Sequence, residues 1–189
     1  MTNLKDIAYQ MTGEGKGILA ADESTPTCAK RFESIGVEST FENRNEYRDM
    51  LISAKGMENY IGGVIMFDET LRQSTTCDEK ILFPKHLISK GVVPGIKVDT
   101  GAKNLAGFSG EKVTEGLDGL RERLAEYYDL GARFAKWRAV ITIGVNMPSI
   151  ACYQANTHAL ARYAALCQEA GLVPIVEPEV LMDGNHTIE

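Results

Sequence analysis

The chain has 189 residues, 44% hydrophobic and 24% charged, which fits one soluble globular domain or a large piece of one. Its net charge of −6 speaks against non-specific nucleic-acid binding, which needs a basic surface. No apolar stretch is long enough to span a bilayer and the N-terminus carries no secretory signal, so the expectation is a cytoplasmic protein without nucleic-acid or membrane partners.

The first apolar run, Gly17–Ala21, ends at Asp22-Glu23. Thr25-Pro26 then places a cap residue before a proline at a helix start, and Gly36 closes that helix. Ser39 with Glu42 fits a capping box for a second helix reaching about Lys55. The second run, Ile61–Phe67, is followed by Asp68-Glu69, and the third, Val92–Val98, contains Lys97 and precedes Asp99. The stretch Asp99–Glu115, rich in Gly and Lys, is expected to be the longest irregular loop and to border a site. Leu117, Leu120, Leu124 and Tyr127 or Tyr128 recur at helical spacing. The fourth run, Phe134–Val140, carries Lys136 and Arg138. Pro148 opens a long helix with Ala151, Ala155, Ala159, Tyr163 and Leu166 on its expected apolar face, and the fifth run, Leu172–Val176, precedes Glu177 and Glu179.

Gly91, Gly131 and Gly171 lie about 40 residues apart, each closing a helical pattern and opening an apolar run, which reads as repeated βα units. Parallel strands joined by right-handed crossovers are buried on both faces, so they read as continuous apolar runs. The expected fold is α/β: a (β/α)₈ TIM barrel represented by its first five units, one domain spanning residues 1–189 and truncated after strand five. A doubly wound open sheet is the competitor, but no GxGxxG turn follows the first strand. The four cysteines, Cys28, Cys77, Cys152 and Cys167, lack CxxC spacing and read as free thiols.

Ligands of parallel α/β folds gather at the C-terminal ends of the strands. Residues two apart on a strand share a face, which pairs Lys97 with Asp99, Lys136 with Arg138, and Glu177 with Glu179. Asp22 would face them across a barrel. Each signal has a bland counterpart: a lysine can snorkel outward, Asp22-Glu23-Ser24 can cap a helix, and Glu177-Pro178-Glu179 can be a loop entrance. Repetition on four of five strands instead suggests a shared site, where a desolvated lysine beside other cations would titrate nearer neutrality. Acid–base chemistry on a polar, phosphorylated substrate is the expectation.

The motifs Gly17-Ile18-Leu19-Ala20-Ala21-Asp22-Glu23-Ser24-Thr25, Gly95-Ile96-Lys97-Val98-Asp99, Phe134-Ala135-Lys136-Trp137-Arg138 and Pro174-Ile175-Val176-Glu177-Pro178-Glu179 resemble those of class I fructose-bisphosphate aldolase. Gly62-Gly63-Val64-Ile65, Gly116-Leu117-Asp118-Gly119-Leu120 and Leu160-Ala161-Arg162-Tyr163-Ala164 match it too, and the resemblance runs along essentially the whole chain as the family's N-terminal half. It implies reversible cleavage of fructose 1,6-bisphosphate to dihydroxyacetone phosphate and glyceraldehyde 3-phosphate through a lysine imine. By resemblance Asp22 takes the proton of the substrate C4 hydroxyl, and Glu177 is the acid–base group of carbinolamine formation and dehydration. Lys136 sits beside the imine-forming lysine, keeping it partly deprotonated and transferring protons. Lys97 and Arg138 hold substrate hydroxyls and phosphate, Glu23, Ser24, Thr27 and Arg31 belong to the substrate-binding set, and Glu179 supports the charge network.

The resemblance implies no metal and no cofactor, because the imine is the electron sink, and His86, His158 and His186 lack ligand spacing. A homo-oligomer acting on a phosphorylated sugar is expected. The imine-forming lysine belongs to a sixth strand, past Glu189, so the segment alone is expected to be inactive. The alternative is a truncated, non-catalytic barrel that binds sugar phosphates or a protein partner.

Overall fold

In a computed structural model, which describes residues 3–187, the five apolar runs become parallel strands of one sheet. These are β1 (Gly17–Ala21), β2 (Ile61–Met66), β3 (Val93–Lys97), β6 (Phe134–Ile141) and β7 (Val173–Val180), hydrogen-bonded in the order β1-β2-β3-β6-β7. Between β3 and β6 the chain makes a short antiparallel hairpin, β4 (Ala102–Asn104) with β5 (Lys112–Thr114). The helices are α1 (Leu4–Met11), α2 (Thr25–Glu33), α3 (Phe41–Ile52), α4 (Asp68–Leu71), α5 (Phe83–Ser89), α6 (Leu120–Asp129) and α7 (Ile150–Glu169). Every strand of the large sheet lies beside its predecessor of the same sheet, with helix in each crossover, which is the arrangement of half a (β/α) barrel.

Strand alternation separates two cores. Val64, Met66, Ile96, Ala135, Trp137 and Ala139 face outward, where they pack with Ile52, Leu71, Leu87, Leu120, Leu124 and Tyr163 of the helices. The opposite face buries Phe134 among Ile65, Val93, Ile7 and Met11, with Ile18, Val173 and Ile175 beside it. Helix α1 thus plugs the end of the sheet where the strands begin, leaving the other end of this face to the charged residues.

Close approach explains two glycines. A Cβ on Gly95 would stand 2.2–2.4 Å from the Phe134 ring, and one on Gly62 would stand 2.3 Å from the Met11 carbonyl oxygen. Helix α7 is tied to the sheet by the Tyr163 hydroxyl, which donates to the carbonyls of Ala135 at 2.6 Å and Ile175 at 3.2 Å.

Several local expectations shift. Ser24, not Thr25, is the cap residue of α2, with Pro26 one position further in than expected. Thr40, not Ser39, caps α3, accepting from the Asn43 amide at 3.1 Å, while Ser39 Oγ accepts from Arg44. The Asp99–Glu115 stretch is not irregular throughout but contains the β4–β5 hairpin. Asn156 anchors it: its Oδ1 accepts from the Thr114 amide at 3.2 Å and its Nδ2 donates to the Lys112 carbonyl at 2.9 Å. The buried face of α7 is accordingly rotated from the alanine row, with Cys152, Asn156, Ala159, Leu160, Tyr163 and Cys167 buried, and Ala151, Ala155 and Leu166 at its margins. Strand β7 continues through Glu177-Pro178-Glu179 to Val180, in register with β6, so these residues are strand and not a loop entrance. Helix α1, which no expectation covered, is capped by Asn3, whose side chain accepts from the Lys5 amide.

Candidate active site

Asp22 follows the last residue of β1, Lys97 is the last residue of β3, Lys136 and Arg138 lie within β6, and Glu177 and Glu179 lie near the end of β7. Lys136 Nζ stands 3.2 Å from Asp22 Oδ2 and 3.3 Å from Glu177 Oε2, bridging the two edges of the sheet. Arg138 Nε is ion-paired with Glu179, and Lys97 Nζ donates to Asp99 Oδ1 at 2.6 Å.

The pairing between β6 and β7 is diagonal. Lys136 is opposite Ile175 in the ladder but reaches Glu177, and Arg138 is opposite Glu177 but reaches Glu179. Such diagonal neighbours lie within reach of long side chains. Lys97 and Lys136 are themselves direct partners in the β3–β6 ladder, a placement of like charges that is unfavourable unless each is compensated. Separate carboxylates compensate them: Asp99 for Lys97, and Asp22 with Glu177 for Lys136.

This arrangement corrects the expectation of a lysine titrating nearer neutrality. Burial lowers the affinity of Lys136 for its proton, but the Asp22 and Glu177 carboxylates outweigh burial and hold the ammonium above the usual lysine range. Glu179 is held below the usual carboxylate range, chiefly by its hydrogen bond from Arg138.

The α2 residues divide. Ser24 lines a cavity of about 450 Å³ together with Lys97, Asp99, Asp68, Arg123 and Tyr127, and its Oγ lies 3.1 Å from Thr27 Oγ1. Glu23 is one residue from Asp22 and turns the other way, into ion pairs with Arg31 and Arg48. Arg31 also donates to the Tyr47 hydroxyl at 3.0 Å. The structure therefore brings Asp22, Lys97, Lys136, Arg138, Glu177 and Glu179 to one end of the sheet and gathers Glu23 and Arg31 in a separate network on the α2–α3 side. Three residues of these networks, Asp99, Arg48 and Tyr47, were not assigned from sequence, and Tyr47, which also donates to Glu23 Oε1 at 3.2 Å, had no signal there. Asp99 had a signal, its spacing from Lys97 at a strand end; Arg48 had none, sitting in a polar helix with no sign that it is 2% exposed. Among the described residues no group of three or more His, Cys, Asp or Glu is placed to hold a metal ion.

A half barrel with lysines, an arginine and carboxylates at the C-terminal ends of its strands places the chain among the α/β barrel proteins. The family model described as "Glycolytic: Fructose-bisphosphate aldolase class-I" matches residues 3–189, and the chain belongs to that family. It is 61% identical over 186 residues to the "Probable fructose-bisphosphate aldolase class 1" of Xanthomonas campestris pv. campestris, covering 98% of this chain and 55% of the relative. It is 56% identical over 175 residues to "Fructose-bisphosphate aldolase 4, cytosolic" of Arabidopsis thaliana, covering 93% of this chain and 44% of that protein. A solved structure of fructose-bisphosphate aldolase from Plasmodium falciparum, in complex with TRAP and a small-molecule inhibitor, matches with a TM-score of 0.93 and 48% identity, over 98% of this chain and 53% of that one. The chain spans about half the length of the curated relatives it matches.

Proposed function

We propose that this segment furnishes the acid–base and phosphate-holding groups of a class I fructose-bisphosphate aldolase, which cleaves fructose 1,6-bisphosphate reversibly into two triose phosphates through a lysine imine. The observation that carries the reading is the Lys136 ammonium, set between Asp22 at 3.2 Å and Glu177 at 3.3 Å. A protonated lysine between two carboxylates can pass a proton either way, which reversible carbonyl addition and aldol cleavage both require. In this reading Asp22 takes the C4 hydroxyl proton, Glu177 serves carbinolamine formation and dehydration, and Lys136 moves protons between them. Lys97, Arg138 and Ser24, at the same end of the sheet, hold hydroxyl and phosphate oxygens, and Glu179 keeps the Arg138 guanidinium in place. Thr27 supports Ser24 through their hydroxyl contact, while Glu23 and Arg31 contribute by fixing the turn after β1.

Lys136 is not the imine former in this reading, because an ammonium has no lone pair with which to attack a carbonyl. That lysine belongs to a sixth strand outside these 189 residues, and residues 1–189 make up five βα units of a single barrel domain. The setting is cytosolic, as the name of the Arabidopsis relative has it for that protein, and no described helix is long and apolar enough to cross a membrane. The protein acts as a homo-oligomer on a phosphorylated sugar.

The test is a hybrid that joins this chain to the C-terminal half of the Xanthomonas relative. It should cleave fructose 1,6-bisphosphate, and Glu177→Gln or Asp22→Asn should lower kcat by about 10²–10⁴-fold with little change in KM. Borohydride trapping with dihydroxyacetone phosphate should label the added lysine and leave Lys97 and Lys136 unmodified. An adduct on either, or variants that raise KM alone, would remove the assigned roles. A hybrid that binds the sugar phosphate without cleaving it would favour the non-catalytic binder.

A further inference from the structure

Asp99 lies where the β3–β6 ladder stops, its side chain 3% exposed, and the aldolase reading leaves it without a task. We propose that Asp99 is a positioning residue, holding the Lys97 ammonium in one orientation and locking the end of β3 to the Arg138 peptide. The inference rests on the reading of Lys97 as a substrate-binding group.

One carboxylate serves three donors. Asp99 Oδ1 accepts from Lys97 Nζ at 2.6 Å and from the Gly101 amide at 3.0 Å, and Oδ2 accepts from the Arg138 amide at 3.3 Å. Lys97 Nζ donates a second time to the Asp99 carbonyl at 3.0 Å. The last backbone bond between these strands is Val98 N to the Lys136 carbonyl at 3.1 Å, so beyond it the carboxylate does the work of a ladder carbonyl. The next peptide is held too, since Thr114 Oγ1 donates to the Arg138 carbonyl at 2.7 Å. Gly116 closes the corner: at φ +128°, a Cβ there would come within 2.9 Å of the Thr100 amide nitrogen and 3.2 Å of Asp99 Cα.

An ammonium has three protons, and Asp99 takes two, leaving one for a ligand in the cavity that Lys97 lines. The four-carbon stem of a lysine is otherwise free to rotate, and ordering it on binding weakens affinity. Electrostatics alone argues the other way, because removing a negative charge beside Lys97 would tighten an anionic ligand. The direction of change in an Asp99→Asn variant therefore separates positioning from charge.

The experiment pairs ¹⁵N NMR of the lysine ammonium groups with calorimetry of fructose 1,6-bisphosphate binding to the Glu177→Gln hybrid, here the unmodified protein, and to its Asp99→Asn, Lys97→Met and double variants. The Lys97 ammonium, assigned by its loss in Lys97→Met, should exchange its protons slowly and lose that protection in Asp99→Asn. Asp99→Asn should weaken binding about tenfold, as loss of a charge-assisted contact predicts. In the Lys97→Met background the same change should cost no more than about twofold, the non-additivity expected of residues acting through one another. Tighter binding, an undiminished effect in that background, or a rapidly exchanging Lys97 ammonium in the unmodified protein would each overturn the proposal. The last measurement decides it even if Asp99→Asn does not fold. Failure of the unmodified protein to bind the sugar bisphosphate would count against the aldolase reading, and the ammonium exchange would still judge Asp99.

Discussion

Adjacent residues at the end of β1 meet opposite fates. Asp22 joins the ionic layer at the strand ends, while Glu23 turns outward to Arg48, whose guanidinium also donates to Thr70 Oγ1 at 3.1 Å and to the Glu23 carbonyl at 2.5 Å. Arg48 thereby ties the β1 turn to α3 and α4. Burial pushes the Glu23 carboxyl up, but the hydrogen bond from its own backbone amide and the charge of Arg48 outweigh it and hold the group below the usual carboxylate range. A group depressed in this way stabilises the fold above its unfolded-state titration range, and that contribution fades as pH falls through the folded value. Arg48→Met leaves Glu23 with only the exposed Arg31 and strips Thr70 Oγ1 and the Glu23 carbonyl of their donor, so it should cost about 3 kcal/mol, the lower end for a broken buried pair. Urea denaturation will show this, with Glu23→Gln recovering part of the loss in the Arg48→Met background. If the single variant lost under about 1 kcal/mol, the pair would be behaving like an exposed one and the anchoring role would be wrong.

At the level of elements, the strands are set by one aromatic ring. Phe134, fully buried, fills the inner face beneath the ionic layer, and Gly63 and Gly95 on neighbouring strands are the space it occupies. A Gly95→Ala methyl would overlap the ring, and overpacking of this kind typically costs about 1–3 kcal/mol. The melting temperature of Gly95→Ala should fall, and Phe134→Leu in the same chain should restore part of it by vacating the space. Additive losses in the double variant would show that the glycine is needed for some other reason. The strand boundaries themselves were largely legible, because strands buried on both faces must be apolar on both. The exception is β7, whose charged continuation through Glu179 looks like a loop until its ladder with β6 is seen.

For the whole molecule, the decisive feature is that, among the described residues, the sheet has unpaired edges at β1 and β7. Val176 and Val180 on β7 are each 47% exposed, an unusual state for a strand of a parallel sheet. Unpaired strand edges with exposed apolar side chains promote association. The purified 189-residue chain should therefore sediment as a dimer or larger species at micromolar concentration. A monodisperse, cooperatively unfolding monomer would overturn this expectation.

Periodicity determined the βα units, because a helix covering a two-sided strand needs a fixed length of chain and a glycine to leave each helix. Alternation at the strand ends determined which of Lys97, Lys136, Arg138, Glu177 and Glu179 could share a face, since residues two apart must point the same way. Sequence spacing pointed to the Lys97–Asp99 pair but carried no information on which carboxylates Lys136 and Arg138 meet. The diagonal of the β6–β7 ladder and the span from β1 to β6 decided that, joining Asp22 to Lys136 across 114 positions of chain. The charge state of Lys136 followed from the same packing: burial alone would have lowered its proton affinity, and only the two carboxylates brought from β1 and β7 reverse the sign.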